Sequence, residues 1–326
     1  MTYTVSNDLD LLKGNIKYHA SIGCSLFIIY LDNCSDDTYD YFSSFDNVYV
    51  FNTLVKPDFE INYPDYIIDL YDRIDEGYDI RKVINTFHST KIVEKLGIDW
   101  LFSIDSDELV YKSDLLCYLD SLPNNIEQIR FRNIEVAIFD DQEHTFFEKH
   151  FFKRRPPKLI WILSRATSRL VRMLKCSGRV EELVQAIIYK LLFSGFGRLS
   201  CYKSHLIGHT LFNGYLGFKS AIRVSAVNDY VFSIHYWIPI KPRLNTVDVD
   251  YLLHFDTLGY EHFVSKFNKS QPLDDNTRFY FRKLVIDNAR APSDISLNFY
   301  HKFISLPSRY SRSNLLLVVD LSSCED

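Results

Sequence analysis

The first 135 residues alternate between apolar runs of strand length and segments with helical spacing. Tyr3–Val5 predicts a short strand and Asp8–Ile22 a helix. Ser25–Leu31 (SLFIIYL) is a continuous apolar run, the pattern of a strand buried on both faces. A polar turn at Asp32–Asp37 leads into a short helix over Thr38–Phe45, and Val48–Phe51 predicts the next strand. A long helix over Tyr78–Leu96 then feeds strands at Trp100–Ile104 and Ile126–Phe131. Strands that alternate with helices imply an α/β fold with a mainly parallel sheet flanked by helices. Ligands of such sheets lie beyond the carboxyl ends of the strands. The residues just after Leu31 and just after Ile104 are therefore the first candidates for chemistry.

Downstream the charge changes abruptly. Residues 151–200 hold 11 Lys and Arg but only two acids, Glu181 and Glu182, leaving 26 basic against 40 acidic residues elsewhere, a net of −14. Lys158, Arg165, Arg169 and Arg172 share one helical face, with Ile160, Leu163, Leu170, Val171 and Leu174 mainly on the rest of the wheel. This spacing predicts a basic amphipathic helix over 158–175, followed by a second helix over about Glu181–Phe193. Two readings stay open for it. Either the helix lies on an anionic membrane surface with Trp161 and Ile162 toward the acyl boundary, or its apolar face packs on the core. The expected division is 1–145, then a basic helical insertion at 146–200, then 201–326 as a C-terminal extension with helices. Peripheral membrane contact is expected through residues 153–175.

Composition limits the function classes. At 47% hydrophobic and 15% aromatic, the chain has ample material for a core, which excludes a disordered protein. The formal charge of −5 argues against a nucleic-acid binder by bulk charge. Six cysteines without a CxxC pair fit neither a disulfide scaffold nor a zinc knuckle, and suit a reducing compartment. Met1–Asp10 lacks the features of a secretory signal, and no apolar run reaches the ~18 residues of a spanning helix. The expectation is a cytoplasmic protein, soluble or held at the inner face of a membrane.

The strongest local signal is Trp100–Leu109, where an apolar strand runs straight into Asp105, Asp107 and Glu108. Three clustered carboxylates repel one another and call for a cation or good hydrogen bonds to offset them. A hard divalent ion with oxygen ligands, Mg²⁺ or Mn²⁺, answers that need; the alternative is a solvated turn at a strand end. The second signal is Tyr30–Thr38, where short polar side chains either cap the next helix or accept hydrogen bonds from a base or ribose.

Together these stretches resemble family-2-type glycosyltransferases. His19–Thr38 is similar to the opening of that family, and Trp100–Leu109 is similar to its metal motif. Val5–Asp8 stands where these enzymes carry a Lys-Asn-Glu turn, here without the Lys. The resemblance spans about residues 3–135 and, more weakly, a C-terminal piece: Gly217–Arg223, Ile234–Tyr236 and Leu253–Lys266. It implies a GT-A fold and transfer of a sugar from a nucleotide diphosphate donor to a glycan or lipid-linked acceptor, with Mn²⁺ or Mg²⁺. It places Asp32 and Asp36 near the nucleoside, and Asp105 and Asp107 at the metal and donor. Glu108 either reaches the metal through water or orients Asp107. It also implies a late histidine ligand, for which His254 is preferred over His235, with core histidines as the alternative. Lys219 and Arg223, at i and i+4, either meet the donor diphosphate or form a solvated basic face. If the reaction inverts the anomeric centre, a carboxylate takes the acceptor proton, with Glu135, Asp140, Asp141 and Asp256 as candidates. Two alternatives are carried beside it. One is a haloacid-dehalogenase-type phosphatase, whose DxDx[TV] motif departs here at Leu109. The other is a GT-like protein that binds nucleotide sugar or carbohydrate without turnover.

Overall fold

The structure is a computed structural model describing residues 1–53, 63–112, 114–139, 142–153, 218–242, 245–270, 272–273, 280–306 and 316–324. The expected basic helix over 158–175, the helix over Glu181–Phe193 and the candidate bases Asp140 and Asp141 lie outside these residues.

In chain order the elements begin with β1 (Thr2–Val5), α1 (Leu9–Ser21), β2 (Phe27–Leu31), α2 (Thr38–Phe42), β3 (Val48–Asn52), α3 (Asp65–Tyr71) and α4 (Tyr78–Lys95). Next come β4 (Trp100–Phe102), β5 (Glu108–Tyr111), α5 (Leu115–Ser121), β6 (Gln128–Glu135), β7 (Lys149–Lys153) and β8 (Phe218–Arg223). The chain continues through β9 (Tyr230–Ser233), β10 (Tyr236–Pro239), β11 (Thr246–His254), α6 (Tyr260–Lys269), α7 (Tyr280–Ala289), α8 (Ser293–Phe299) and β12 (Leu316–Asp320). Among the described residues no helix is long and apolar enough to cross a membrane.

The chain divides into two compact units, Met1–Asn133 with Gly217–Leu252, and Ile134–Leu216 with Leu253–Cys324. These cut across the expected boundaries at 145 and 200. The physical reason is strand pairing: β8 returns to sit between β4 and β6, so a late segment completes the first unit.

Unit 1 is α/β, as the alternation predicts, but its sheets are mixed. Strands β1, β2 and β3 are parallel in the order β1-β2-β3, with Val5 opposite Leu31 and Leu31 opposite Asn52. Their carboxyl ends therefore lie level. Ser103, just past β4, bridges Thr2 in parallel, which brings the end of β4 beside β1. The expected mainly parallel sheet stops there. The five-stranded sheet runs β4-β8-β6-β11-β5, and β8 is antiparallel to both β4 and β6.

The apolar run of β2 is explained by burial on both faces, all five residues being at most 8% exposed. Phe27 and Ile29 join Tyr3, Leu12, Phe102 and Phe131 in one core layer. Ile28 and Tyr30 face the other way, joining Ile84, Phe87, Ile222 and Trp237. Each such side chain contributes roughly 1.5–3 kcal/mol. Helix α4 packs on the second layer yet buries many polar residues. They are satisfied one by one: Asn85 Nδ2 donates to Thr4 Oγ1 (3.2 Å), Thr86 and Ser103 share hydroxyls (3.1 Å), and Ser89 meets Thr2 (2.7 Å).

Unit 2 relies on aromatics. Phe255 contacts Phe146, His150 and Phe152, and Phe263 contacts Phe267, Phe299 and Tyr300. Strands β7 and β12 pair antiparallel, and Val136 bridges Phe152.

Candidate functional site

The site is built at the level carboxyl ends of the parallel strands. Asn7 follows β1 and Asn33 follows β2, both with φ near 54°, a left-handed conformation that asparagine tolerates better than most residues. Asn7 Oδ1 accepts the N–H of Ser35 (2.6 Å) and of Asp36 (3.1 Å), which ties the two strand ends together. The Asp36 carboxylate accepts from Leu9 N–H (3.3 Å), Thr38 N–H (3.3 Å) and Thr38 Oγ1 (2.6 Å). It thus pins the first turns of α1 and α2, where a negative charge is favoured. The capping alternative for this turn describes Asp36; its carboxylate is engaged within the fold. Asp32 is buried, and Arg81 of α4 holds it with two bonds, Nε to Oδ1 at 2.7 Å and Nη2 to Oδ2 at 3.0 Å.

The acidic turn after β4 is gripped by two lysines. Lys82 of α4 donates to Asp105 Oδ1, and Lys219 of β8 donates to Asp105 Oδ2 at 2.6 Å. Lys219 also reaches Glu108 Oε2 at 3.1 Å, which in turn accepts the Asp105 N–H at 2.8 Å. Burial raises the Asp105 carboxyl, but the Lys219 and Lys82 ammoniums outweigh it and hold the group well below the usual carboxylate range. Burial likewise opposes charge on Lys219, and Asp105 and Glu108 reverse the effect, raising its pKa. Asp8, from the turn after β1, accepts from Ser106 Oγ at 3.1 Å.

One phenol shows how these groups converge. The Tyr78 hydroxyl donates to Thr4 O at 2.5 Å. Its pKa is pushed far up, first by burial and then by the charges of Asp105, Asp8, Asp32 and Asp107. Tyr78 is 36% exposed as a whole residue. The turn after β2 and the turn after β4 therefore face a common point. Among the described residues, five carboxylates (Asp8, Asp32, Asp105, Asp107, Glu108) outnumber three basic side chains (Arg81, Lys82, Lys219) here, and burial lowers the pKa of one of these, Lys82. An incoming diphosphate would be repelled unless a cation accompanied it.

The donor set can be tested against that need. Both Asp105 oxygens are on lysine ammoniums and Glu108 is shared with Lys219, so neither matches the expected metal ligand in full. Among the described residues no group of three or more His, Cys, Asp or Glu is placed to hold an ion as an all-protein cage. Mg²⁺ commonly takes one or two carboxylates plus substrate phosphates. An ion at this turn would have to be held in that form, by at most one or two of its carboxylates.

Of the other expected residues, Lys219 joins the acidic turn and Arg223 does not. Lys219 and Arg223 lie on a strand, so four residues separate them by ~13 Å instead of bringing them together as a helix would. Arg223 pairs with Trp100 at the opposite end of β4 from Asp105. Its guanidinium donates to Ile126 O (3.0 Å) and stacks 4.6 Å from the Trp100 ring, a packing role. His254, Glu135 and Asp256 belong to unit 2. His254 Nδ1 meets the buried Glu135 Oε2 at 2.6 Å. Asp256 pairs with Lys266 at 3.0 Å and Arg282 at 3.9 Å. Burial raises the Asp256 carboxyl, but Lys266, Arg282 and His254 hold it well below its ordinary range, which makes it a weak proton acceptor. Asp256 and Lys153 line a small recess walled by Val136, Ile138, Phe263 and Phe267. His235 sits between β9 and β10 in unit 1.

Sequence reasoning missed Arg81 and Lys82. The available signal was a basic pair in the first turn of the long helix, directly upstream of a strand ending in three acids. No protein-family model matches the chain, and no curated protein resembles it closely enough to count as a relative.

Proposed function

We propose that unit 1 is the donor-binding part of a metal-dependent, GT-A-type glycosyltransferase that takes a nucleotide diphosphate sugar and serves a glycan or lipid-linked acceptor. The observation that carries the reading is that the Asp32 turn and the Asp105–Glu108 turn flank the carboxyl end of β1, where the Tyr78 hydroxyl donates to Thr4 O. The negative surplus there supports a divalent ion, Mn²⁺ or Mg²⁺, held by Asp107 and the donor phosphates. When bound, that ion neutralises charge on the leaving diphosphate. The protein's own contribution is rigidity and charge. Lys82 and Lys219 keep Asp105 ionised and fixed, and Arg81 locks Asp32 at the nucleoside side. Glu135 is hydrogen-bonded to His254 and Asp256 is ion-paired with Lys266, and the reading assigns the acceptor proton to neither.

A thermal-shift panel of UDP-, GDP-, dTDP- and ADP-sugars, with Mn²⁺, Mg²⁺ or EDTA, tests this. A ligand at about a hundredfold its Kd stabilises by ~2.7 kcal/mol. One nucleotide class should raise Tm in the presence of metal, and Asp107→Asn should remove the shift. Silence across the whole panel would sink the reading. Binding without hydrolysis or transfer would favour the non-catalytic alternative.

A further inference from the structure

Asn15 of α1 is fully buried, and its amide is where the acidic turn is fastened. Its Nδ2 lies 3.3, 3.0 and 2.7 Å from the carbonyl oxygens of Asp105, Ser106 and Glu108. Its Oδ1 accepts from the Tyr3 hydroxyl at 2.8 Å and from His19 Nδ1 at 2.8 Å.

The direction of each bond follows from the far end of the chain of contacts. A backbone N–H can only donate, so the Val110 N–H, 3.1 Å from His19 Nε2, makes that nitrogen an acceptor. The His19 proton is then on Nδ1, and burial keeps the ring neutral by lowering its pKa to about 3. Nδ1–H finds two acceptors, the Asn15 carbonyl O at 2.9 Å and Oδ1 at 2.8 Å, and the three carbonyls, which can only accept, place the NH₂ against them and Oδ1 on the side of Tyr3 and His19. Only an amide of this length provides both an acceptor and a two-proton donor. Aspartate is isosteric but would set a third kind of acceptor against carbonyls that need donors.

We infer that Asn15 is the positioning residue of the donor site: it gathers three carbonyls of the acidic turn and so fixes the backbone that carries Asp107. The inference rests on the donor-site reading above. Sites for ions and phosphates are sensitive to misplacement, and removal of a partner that orients a ligand commonly costs 10–100-fold in metal affinity.

The test is Mn²⁺ titration, followed by loss of the free-ion EPR signal, in a fixed excess of UDP or of GDP. Asn15→Asp and Asn15→Leu should weaken Mn²⁺ binding by roughly 10–100-fold. Tyr3→Phe removes one of the two donors to Asn15 Oδ1 and should weaken it by a smaller, measurable factor. That variant decides the matter if the Asn15 variants do not fold. Tyr18→Phe is the control, because it deletes an equally buried bond to Val110 O (3.0 Å) that bypasses the turn. It should lower stability and leave Mn²⁺ affinity unchanged. Unchanged affinity in folded Asn15 variants, or in Tyr3→Phe, would overturn the inference, as would an equal loss in Tyr18→Phe. If wild-type protein takes up no Mn²⁺ with any nucleoside diphosphate, the donor-site reading itself has failed, and this inference goes with it.

Discussion

The two units solve the problem of buried charge in opposite ways. In unit 1, five carboxylates face three cations. In unit 2, Glu135 and Asp256 stand among Lys153, Lys266 and Arg282, with His254 as a further proton carrier. The first arrangement leaves negative charge over, and it lies at the ends of parallel strands. The second leaves positive charge over and binds each acid to a named partner. A chain that wanted only stability would balance both. The difference teaches that an acidic motif is to be judged by the cations the fold brings to it. By that measure the described basic side chains match the acids of the turn after β4 only in part, whereas each acid of the Asp256 cluster has its own partner.

The contrast breaks most easily at Lys219. It is 1% exposed as a side chain and serves both Asp105 and Glu108. Lys219→Met leaves the buried Glu108 without its ammonium and Asp105 with Lys82 alone, and should cost about 3–5 kcal/mol, read as a lower urea midpoint. A cost below that of an ordinary surface change would mean the lysine clasp does not form in solution.

Acid is the next lever. Burial holds His19 neutral, with its pKa lowered to about 3 from 6.5. The unfolded chain therefore binds a proton that the native state refuses, and stability falls as pH drops below 6.5. The loss from this residue alone should reach ~2 kcal/mol by pH 5. Burial also lowers His150 in unit 2, which adds in the same direction. Urea melts from pH 7 to 5 on wild type and on His19→Gln separate the two: the variant's curve should be flatter, though lower overall.

The unit 2 partner to the first prediction is Lys266→Met. That ion pair is 22% and 32% exposed, so solvent screening limits its worth to about 1 kcal/mol or less. A loss as large as that of Lys219→Met would erase the proposed difference between the clusters.

The smallest effect concerns the basic stretch. Residues 151–200 concentrate 11 of the 37 Lys and Arg. Each basic residue near an anionic surface contributes about 1 kcal/mol. Sedimentation with phosphatidylserine vesicles at low salt should carry the protein down. Salt should release it, and charge reversal at Arg165, Arg169 and Arg172 should weaken it. Protein left in the supernatant at low salt would end the membrane reading.

The parts legible in the sequence are those where one pattern has one meaning. The SLFIIYL run cannot be amphipathic, and β2 is buried on both faces. The Tyr78–Leu96 periodicity is too long for a strand and yields α4. Segment 218–223 had no such protection. Lys219 and Arg223 read equally well as one helical face or one strand face, and the sheet, through β4 and β6, chose the strand. Of the site, the acids were visible because strand ends expose them to view in the pattern. Their partners were not, because Lys82, Arg81 and Asn15 act across the fold, 23, 49 and 90 or more positions from their acids and carbonyls. Local reasoning weighed a metal, hydrogen bonds and solvent as what offsets these acids, and did not see the lysines that the fold brings to them.

Helix α4 has a consequence beyond packing. Lys82, Asn85, Thr86 and Ser89 form one polar stripe, and each meets a different strand-borne group: Asp105, Thr4, Ser103 and Thr2. A greasy stripe would let the helix slip along the sheet by a turn, 5.4 Å, with little penalty. A stripe of hydroxyls and amides works like the teeth of a key, matching only one depth of insertion. Neutral residues two turns away thereby decide where an ammonium arrives, and an exchange of Thr86 or Ser89 for alanine would be felt first as a blurred charge at Asp105.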